Sequence, residues 1–420
     1  MVVTLAPTAK PPAQGRIWRV IWISSAEAGE ALHWAETATD RDPLRLGAAL
    51  VQRFGLSPAQ RAAVLTQVDL RARAAQRWHT DVTDCLFTRD GLEQASRPAV
   101  AAWRAQRLAE FGVRAVADLG CGLGFESRAM ADAGLRVTAV EIDSETAALA
   151  EANLANRNAR VLVGDITNSN TLDEALHGVE AVFLDPARRD PAAPRSIDGL
   201  SGHRISEPEQ WSPKWSWITS LAAHVPRTVV KVAPGIDHAL IPDGGSAVWT
   251  SIDGDLVEAS IWFPSFKGLP HHAANAMHGH DIAVLDSSMP TCDTVTPVSS
   301  YLLDVAPVVT RSGLVTTLAH AAQATRIDEH IGYLTCEQTP EASPFYTAYR
   351  VLETMPFDRK RIADSLHALG CGSLTVMKRG FAADTEQLRK HWLKRCNGSV
   401  EVTVALTRIG DAPTAIICTR

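Results

Sequence analysis

A chain of 420 residues is too long for one hydrophobic core of about 150 residues, so two or three domains are expected. With 46% apolar and 21% charged residues it is an ordinary globular chain, neither disordered nor fibrous, and it lacks an apolar run near the roughly 20 residues of a membrane span. Its 41 Lys and Arg against 47 Asp and Glu, a net charge of −6, exclude the overall basic character of a nonspecific nucleic-acid binder while leaving room for a local basic face.

Residues 1–14 carry Lys10 and several prolines without an apolar h-region and cleavage site, so no signal peptide is read there and the cytosol is the expected compartment. A helical N-terminal region, residues 1–112, follows from apolar spacings of three and four along 43–54, 57–78 and 98–111. Ser57-Pro58-Ala59-Gln60 reads as a capping box, with Pro58 at the first helical position, where its missing N–H costs nothing.

The period then changes. Short β-prone runs at 114–119, 136–142, 160–163, 181–184 and 228–232, the first three separated by helical stretches at 127–133 and 145–156, predict βαβ units and a parallel sheet. Runs at 247–252 and 256–263 flank Asp253-Gly254-Asp255, a strong hairpin signal. Residues 266–346 are expected to be a connecting segment with some local structure, and residues 347–420 a small α+β module with helices at 359–369 and 385–395 and strands at 373–378, 400–408 and 414–418.

The sharpest motif is Asp118-Leu119-Gly120-Cys121-Gly122-Leu123-Gly124, between the first strand and a helix, where glycines let the backbone turn tightly and approach a ligand. The dinucleotide fingerprint G-x-G-x-x-G fails, because the sixth position from Gly120 is Phe125. Glu141 ends the second strand about twenty residues on, the spacing of a carboxylate that accepts from ribose hydroxyls. Asp165 ends the third strand, within reach of an adenine amino group, and Asp143 is a weaker ribose candidate that more simply precedes an N-cap at Ser144.

In order and type of motif, residues 118–263 resemble the S-adenosylmethionine-dependent class I methyltransferases, whose sheet is five parallel strands and a terminal hairpin. The implied fold class is α/β, a Rossmann-like class I methyltransferase sheet at 113–265 with the helical N-terminal region and a small C-terminal α+β THUMP-like domain. The implied cofactor is S-adenosylmethionine, with Asp118, Gly120, Gly122 and Gly124, and Cys121 within the same loop, around its methionine part, Glu141 at the ribose and Asp165 at the adenine. The wider chain resembles a bacterial family of methyltransferases with a C-terminal THUMP-like domain, through Leu92-Glu93-Gln94-Ala95-Ser96, Asp185-Pro186-Ala187-Arg188-Arg189, Lys231-Val232-Ala233-Pro234-Gly235 and Lys378-Arg379-Gly380. That resemblance supplies no substrate.

Asp185-Pro186-Ala187-Arg188 ends the fourth strand, where methyltransferases present the acceptor. Methyl transfer needs positioning and, for a weak nucleophile, removal of a proton, so Asp185 is the first catalytic candidate. Pro186 would hold the backbone toward the acceptor, and Arg188 and Arg189 would bind phosphate or acceptor unless they form a salt-bridged loop. Lys231 either holds an anionic group, orients Asp185, or carries its charge into solvent. Base-amine methyltransferases place an aromatic residue where Arg188 stands, and pyrimidine-attacking ones a cysteine on the next strand, which reads Thr228-Val229-Val230-Lys231-Val232. Neither mechanism is favoured. Gln94 could reach cofactor or acceptor, or the segment could simply be capped by Ser96.

From Arg359 to Arg395 nine basic residues, Lys378 and Arg379 among them, face three acidic ones, a local net of +6 in an acidic chain. Such segregation suits docking of an RNA backbone, and THUMP domains accompany RNA-modifying enzymes; two amphipathic helices with solvated faces are the plainer alternative. Trp211 and Trp215, with Trp217, are expected in the core rather than stacking on bases. No metal is expected: His271, His272, His278 and His280 read as a flexible loop, and the seven scattered cysteines lack any C-x-x-C pair. The resulting expectation is a cytosolic S-adenosylmethionine-dependent RNA methyltransferase, against methylation of a small molecule or protein, or a catalytically silent RNA-binding protein.

Overall fold

Ser25, Asp42 and Ser57 each stand one residue before a helix and accept a hydrogen bond from a backbone N–H that the first turn leaves unpaired. The computed structural model describes residues 22–187, 207–279 and 281–420. The chain divides into two units, Met1–Lys231 and Val232–Arg420. The expectations for residues 1–14, Arg188, Arg189 and His280 lie outside the described residues.

In the first unit, helices α1 (Ala26–Thr37), α2 (Pro43–Phe54), α3 (Pro58–Trp78), α4 (Arg89–Gln94) and α5 (Pro98–Glu110) make the expected helical region. The capping box at α3 is reciprocal: Gln60 N–H donates to Ser57 Oγ at 3.3 Å and Ser57 N–H to Gln60 Oε1 at 2.9 Å. Capping at α5 differs from expectation, because Arg97 is the N-cap residue and makes no side-chain cap bond. The helices bury Leu32, Leu50, Val64, Leu70 and Phe87 in one core that also holds Leu123 and Leu149. Two buried amides fix the link between α3 and α4. Gln67 exchanges both bonds with Phe87, at 2.8 and 2.9 Å, and Asn153 does the same with Leu86 while donating to Leu123 O at 2.9 Å.

Strands β1 (Ala115–Leu119), β2 (Arg136–Glu141), β3 (Ala159–Val163), β4 (Ala181–Leu184) and β5 (Thr228–Val232) form a parallel sheet in the order β3-β2-β1-β4-β5. Helices α6 (Phe125–Asp132), α7 (Ser144–Asn153), α8 (Ser169–Leu176) and α9 (Trp215–His224) alternate with the strands. Asp143 is itself the N-cap of α7, accepting from Thr146 N–H at 2.8 Å, where Ser144 was expected. The strand order reverses between β1 and β4, and a crevice opens beyond the carboxyl ends at such a point. Trp211 and Trp215 are buried and meet edge-to-face at 6.0 Å, Trp211 just before α9 rather than on it.

In the second unit, β6 (Ser246–Ile252) and β7 (Asp255–Trp262) form the expected hairpin, its two turn residues Asp253 and Gly254 at φ 52° and 88°. β8 (His272–His278) pairs parallel to β6, and β9 (Asp281–Asp286) antiparallel to β8. The histidine stretch is therefore a strand. His271 and His272 stack on one another, His278 Nδ1 lies 2.6 Å from Asp253 Oδ1, and burial together with His238 and His271 pushes His272 down to about 4. Among the described residues no group of three or more His, Cys, Asp or Glu is gathered to hold a metal ion, and no helix is long and apolar enough to cross a membrane.

A second sheet follows, from β10 (Tyr301–Val305), α10 (Pro307–Ser312), α11 (Val315–Ala321), β11 (Thr325–Arg326), β12 (Tyr333–Cys336), β13 (Tyr346–Pro356), α12 (Arg359–Ala368), β14 (Cys371–Lys378), α13 (Thr385–Leu393), β15 (Val400–Ile409) and β16 (Ala412–Thr419). Its order is β11-β12-β10-β13-β16-β15-β14. Ile362, Leu366, Leu388 and Trp392 of α12 and α13 cover one face over Val402, Val404 and Ile417; Ala405, Ile416 and Cys418 pack on the other with Leu302, Ile327 and Tyr333. Residues 266–346, expected as a connecting segment, thus hold strands β8 to β12 and helices α10 and α11. Alanines at 273, 274 and 276 disguise β8, whose conformation is fixed by partners on both sides rather than by its own propensity.

Candidate active site

The crevice is built where β1 turns into α6. Gly120, Gly122 and Gly124 sit at φ 90°, 56° and 81°, left-handed conformations that side chains rarely adopt, so this turn requires glycine. Gly120 and Cys121 both donate to Val140 O at 2.9 Å, tying the loop to β2. Among the described residues no heavy atom lies within 4 Å of a Cβ added at Gly122, and at Gly120 the first is Asp185 O at 4.0 Å, so the loop presents bare backbone on that side.

Glu141, at the end of β2, accepts from Gly122 N–H at 2.9 Å and from Asp143 N–H at 3.0 Å, bracing the loop while keeping further lone pairs. Asp118 is fully buried. Its Oδ2 accepts from Ser127 Oγ at 2.5 Å, and its Oδ1 has no partner among the described residues. Burial, with Glu126, Asp185 and Glu141 nearby, pushes this carboxyl up to about 7 against the pull of the Ser127 hydroxyl. The Cys121 thiol is likewise held up by burial beside Asp118 and Glu141, which makes it a poor nucleophile. Glu126 is neutralised by the buried Arg104, whose guanidinium also lies 5.0 Å from the Phe183 ring.

Asp185 follows β4 across from Asp118, with which Phe183 is paired in register. Lys231, buried near the end of β5, donates to Asp185 Oδ2 at 2.7 Å and to the Gln94 carbonyl at 3.4 Å. The structure therefore joins Asp185, Lys231 and the backbone of Gln94, while the Gln94 side chain is exposed. Ser96 does not cap; its Oγ is buried with no partner among the described residues. Just past Pro186, Ala187 exchanges backbone bonds with Ser212 at 2.8 and 3.0 Å, which fixes the course of the chain beyond Asp185.

Asp165 is exposed beyond β3, its Oδ1 accepting from Thr167 N–H and Oγ1 at 2.8 and 2.7 Å. Between it and Glu141 lie two apolar side chains that sequence reasoning passed over, Ile142 and Val163, 67% and 61% exposed at adjacent strand ends. An apolar residue following a strand-end carboxylate was the available signal for Ile142. For Ser127 and Arg104 the sequence carries no signal, because their roles come from what packs beside them. In the second unit Lys378 donates to Ala383 O at 2.5 Å, while Arg379 donates to Asp304 Oδ1 at 2.7 Å and to Val305 O and lies 5.3 Å from the Tyr333 ring.

These residues fit S-adenosylmethionine: bare loop backbone, an unpaired buried carboxylate oxygen for a cationic group, and a strand-end carboxylate beside exposed apolar side chains for a nucleoside. Two family models match the chain, a methyltransferase domain over residues 116–194 and a THUMP domain-like module over residues 346–420. Two proteins of Mycobacterium tuberculosis, from strains H37Rv and CDC 1551, both described as uncharacterized S-adenosylmethionine-dependent methyltransferases, are each 30% identical over 364 residues, covering 83% of this chain and 94% of theirs. A crystal structure from Porphyromonas gingivalis W83, assigned as a methyltransferase, superposes with a TM-score of 0.68 at 19% identity, covering 93% of this chain and 97% of that one, which shows the same fold. The chain is an S-adenosylmethionine-dependent enzyme with the class I fold, and belongs to the family of methyltransferases that carry a C-terminal THUMP-like domain.

Proposed function

We propose that this methyltransferase modifies RNA in the cytoplasm, holding the RNA backbone on its THUMP-like module. The observation that carries the reading is the charge of that module. Arg359, Lys360 and Arg361 open α12 and are exposed, as are Lys390 and Lys394 at the end of α13, in a chain whose net charge is −6, while Arg395 pairs with Asp364 at 2.8 Å. Lys378 and Arg379 make contacts within the second unit, so the exposed helix-borne residues take over most of the contact role first read for that pair.

At the crevice, bound S-adenosylmethionine supplies an electrophilic methyl group. In this reading the glycine loop approaches its methionine portion, Asp118 Oδ1 faces its ammonium and sulfonium charge, Glu141 takes ribose hydroxyls, and Ile142, Val163 and Asp165 line the adenine. Asp185 orients the acceptor: with Oδ2 held by Lys231, its Oδ1 remains to accept a proton-bearing N–H or O–H, and the Pro186 carbonyl stands beside it. Arg188 and Arg189 would meet the acceptor or its phosphate.

The test is transfer of label from methyl-labelled S-adenosylmethionine into RNA, protein and small-molecule fractions, comparing the protein with Asp185→Ala. We expect label in RNA and a loss of at least about a hundredfold in the variant, the usual weight of a group that positions or deprotonates an acceptor. Label confined to small molecules or protein would overturn the RNA assignment, and salt-sensitive RNA binding without transfer in any fraction would point to a silent fold.

A further inference from the structure

The two helices that carry the exposed cations of the second unit end beside one another. His367 Nδ1 near the end of α12 lies 3.1 Å from Arg395 O just past α13, and Arg395 donates to Asp364 Oδ1 of α12 at 2.8 Å. At this point the chain crosses itself. Gly398 N–H donates to Cys371 O and Val400 N–H to Gly370 O, both at 3.0 Å, so the segment after α13 runs over the start of β14. A Cβ added at Gly398 would collide with Gly370 O, and one added at Gly372 with Gly398 O, so the crossing requires glycine at both positions.

The crossing brings Cys371 and Cys396 together. Cys371 is fully buried in the core that α12 and α13 cover, Cys396 is partly exposed and packs against the same core, and the two sulfurs lie within hydrogen-bonding reach of each other. Each thiol also has a backbone acceptor, Ser373 O at 3.5 Å for Cys371 and Trp392 O at 3.4 Å for Cys396. Burial, and then the Cys396 thiol beside it, push the Cys371 thiol up to about 12, so it does not react with an oxidant unaided. Cys396 is the sulfur that solvent reaches, and Cys371 stands behind it.

We propose that Cys371 and Cys396 form an oxidation site that takes a hydroperoxide and closes to a reversible disulfide, stapling the end of α13 to the start of β14. In the first step the Cys396 sulfur attacks a peroxide oxygen, the O–O bond breaks, and a sulfenic acid and one water are formed. In the second the Cys371 sulfur attacks the Cys396 sulfur, the S–S bond forms as the S–O bond breaks, and the departing hydroxide leaves as water with the Cys371 proton. The two thiols together lose two electrons and the peroxide gains them. A dithiol reverses the link by exchange. Closing the chain between 371 and 396 restricts the unfolded state and fixes α13 against α12, the pair of helices that bears the exposed cations.

The experiment exposes the intact protein to a small molar excess of hydrogen peroxide, then counts thiols, alkylates, digests and maps the peptides by mass spectrometry. The count should fall by two from seven, a linked peptide pair joining Cys371 and Cys396 should appear, and dithiothreitol should restore both. The thermal unfolding midpoint of the oxidised protein should rise by several degrees. Cys371→Ser should leave Cys396 as a sulfenic acid that dimedone labels. Should that buried variant fold poorly, Cys396→Ser, at the partly exposed position, should give neither the linked pair nor the rise in midpoint. Overoxidation of Cys396 without a linked pair, a linked pair joining other cysteines, or both thiols surviving peroxide unchanged would each overturn the proposal.

Discussion

Asp118 makes the stability of the fold respond to pH. Its carboxyl stands at about 7 in the fold, against 3.8 as the ordinary value, so between these limits the folded state binds more protons than the unfolded one. Stability from this group is therefore complete below about pH 4 and falls as pH rises to about 7, opposite to the usual salt-bridged aspartate. Urea unfolding midpoints of the protein should decline over that range relative to those of Asp118→Asn; a parallel pH course in the two proteins would show that Asp118 is not the group responsible. At this scale the sequence marked where several residues of the candidate site stand. The glycines, Glu141 and Asp185 were legible because backbone conformation and strand-end position leave a mark in residue type. Ser127, which donates to Asp118, and Arg104, which pairs with Glu126, were not: their helices were legible, but the partner each side chain meets is set by packing.

At the scale of elements, α4 packs closely against the glycine loop. Gly91 lies so close to Leu123 that an added Cβ would come within 2.4 Å of Leu123 Cδ1 and 2.7 Å of Thr88 Oγ1. Alanine favours a helix over glycine by about 1 kcal/mol, but overpacking a buried contact costs about 1–3 kcal/mol, and Leu123 is held by the Asn153 amide on its carbonyl and by the core around it. Overpacking wins. Gly91→Ala should therefore weaken S-adenosylmethionine binding several-fold by displacing the loop, with helical content retained in circular dichroism; native affinity would mean the loop absorbs the change. The same scale shows where reading the sequence stopped. The β6–β7 hairpin was legible from Asp253-Gly254, since a two-residue turn with positive φ restricts residue type. Strand β8 was not, because its histidines and alanines suit no strand by propensity and its pairing is set by β6 and β9. Likewise Tyr346–Pro356 is one strand with two partners, β10 and β16, visible only when those partners are known.

At the scale of the whole molecule, an acidic chain with one basic module is the pattern that composition already gave, and exposure of the α12 and α13 cations keeps it available for a polyanion. The extent of that module was not legible. The THUMP-like match begins at 346, the first residue of β13. In the fold β13 continues across to Tyr301–Val305, Arg379 binds Asp304, and Ile331 and Tyr333 cover Ala405, Ile416 and Cys418. A chain cut at 346 would leave one edge of β13 without its ladder and one face of the sheet without its apolar cover, a combination that invites edge-to-edge pairing. Light scattering on purified fragments should find 346–420 self-associated and 290–420 monomeric; a monomeric short fragment would count against this. The stretch that the THUMP-like model matches is thus shorter than the sheet it belongs to, and a transplant of this module onto another enzyme should keep its cover only if it carries the strand at Tyr301–Val305 as well.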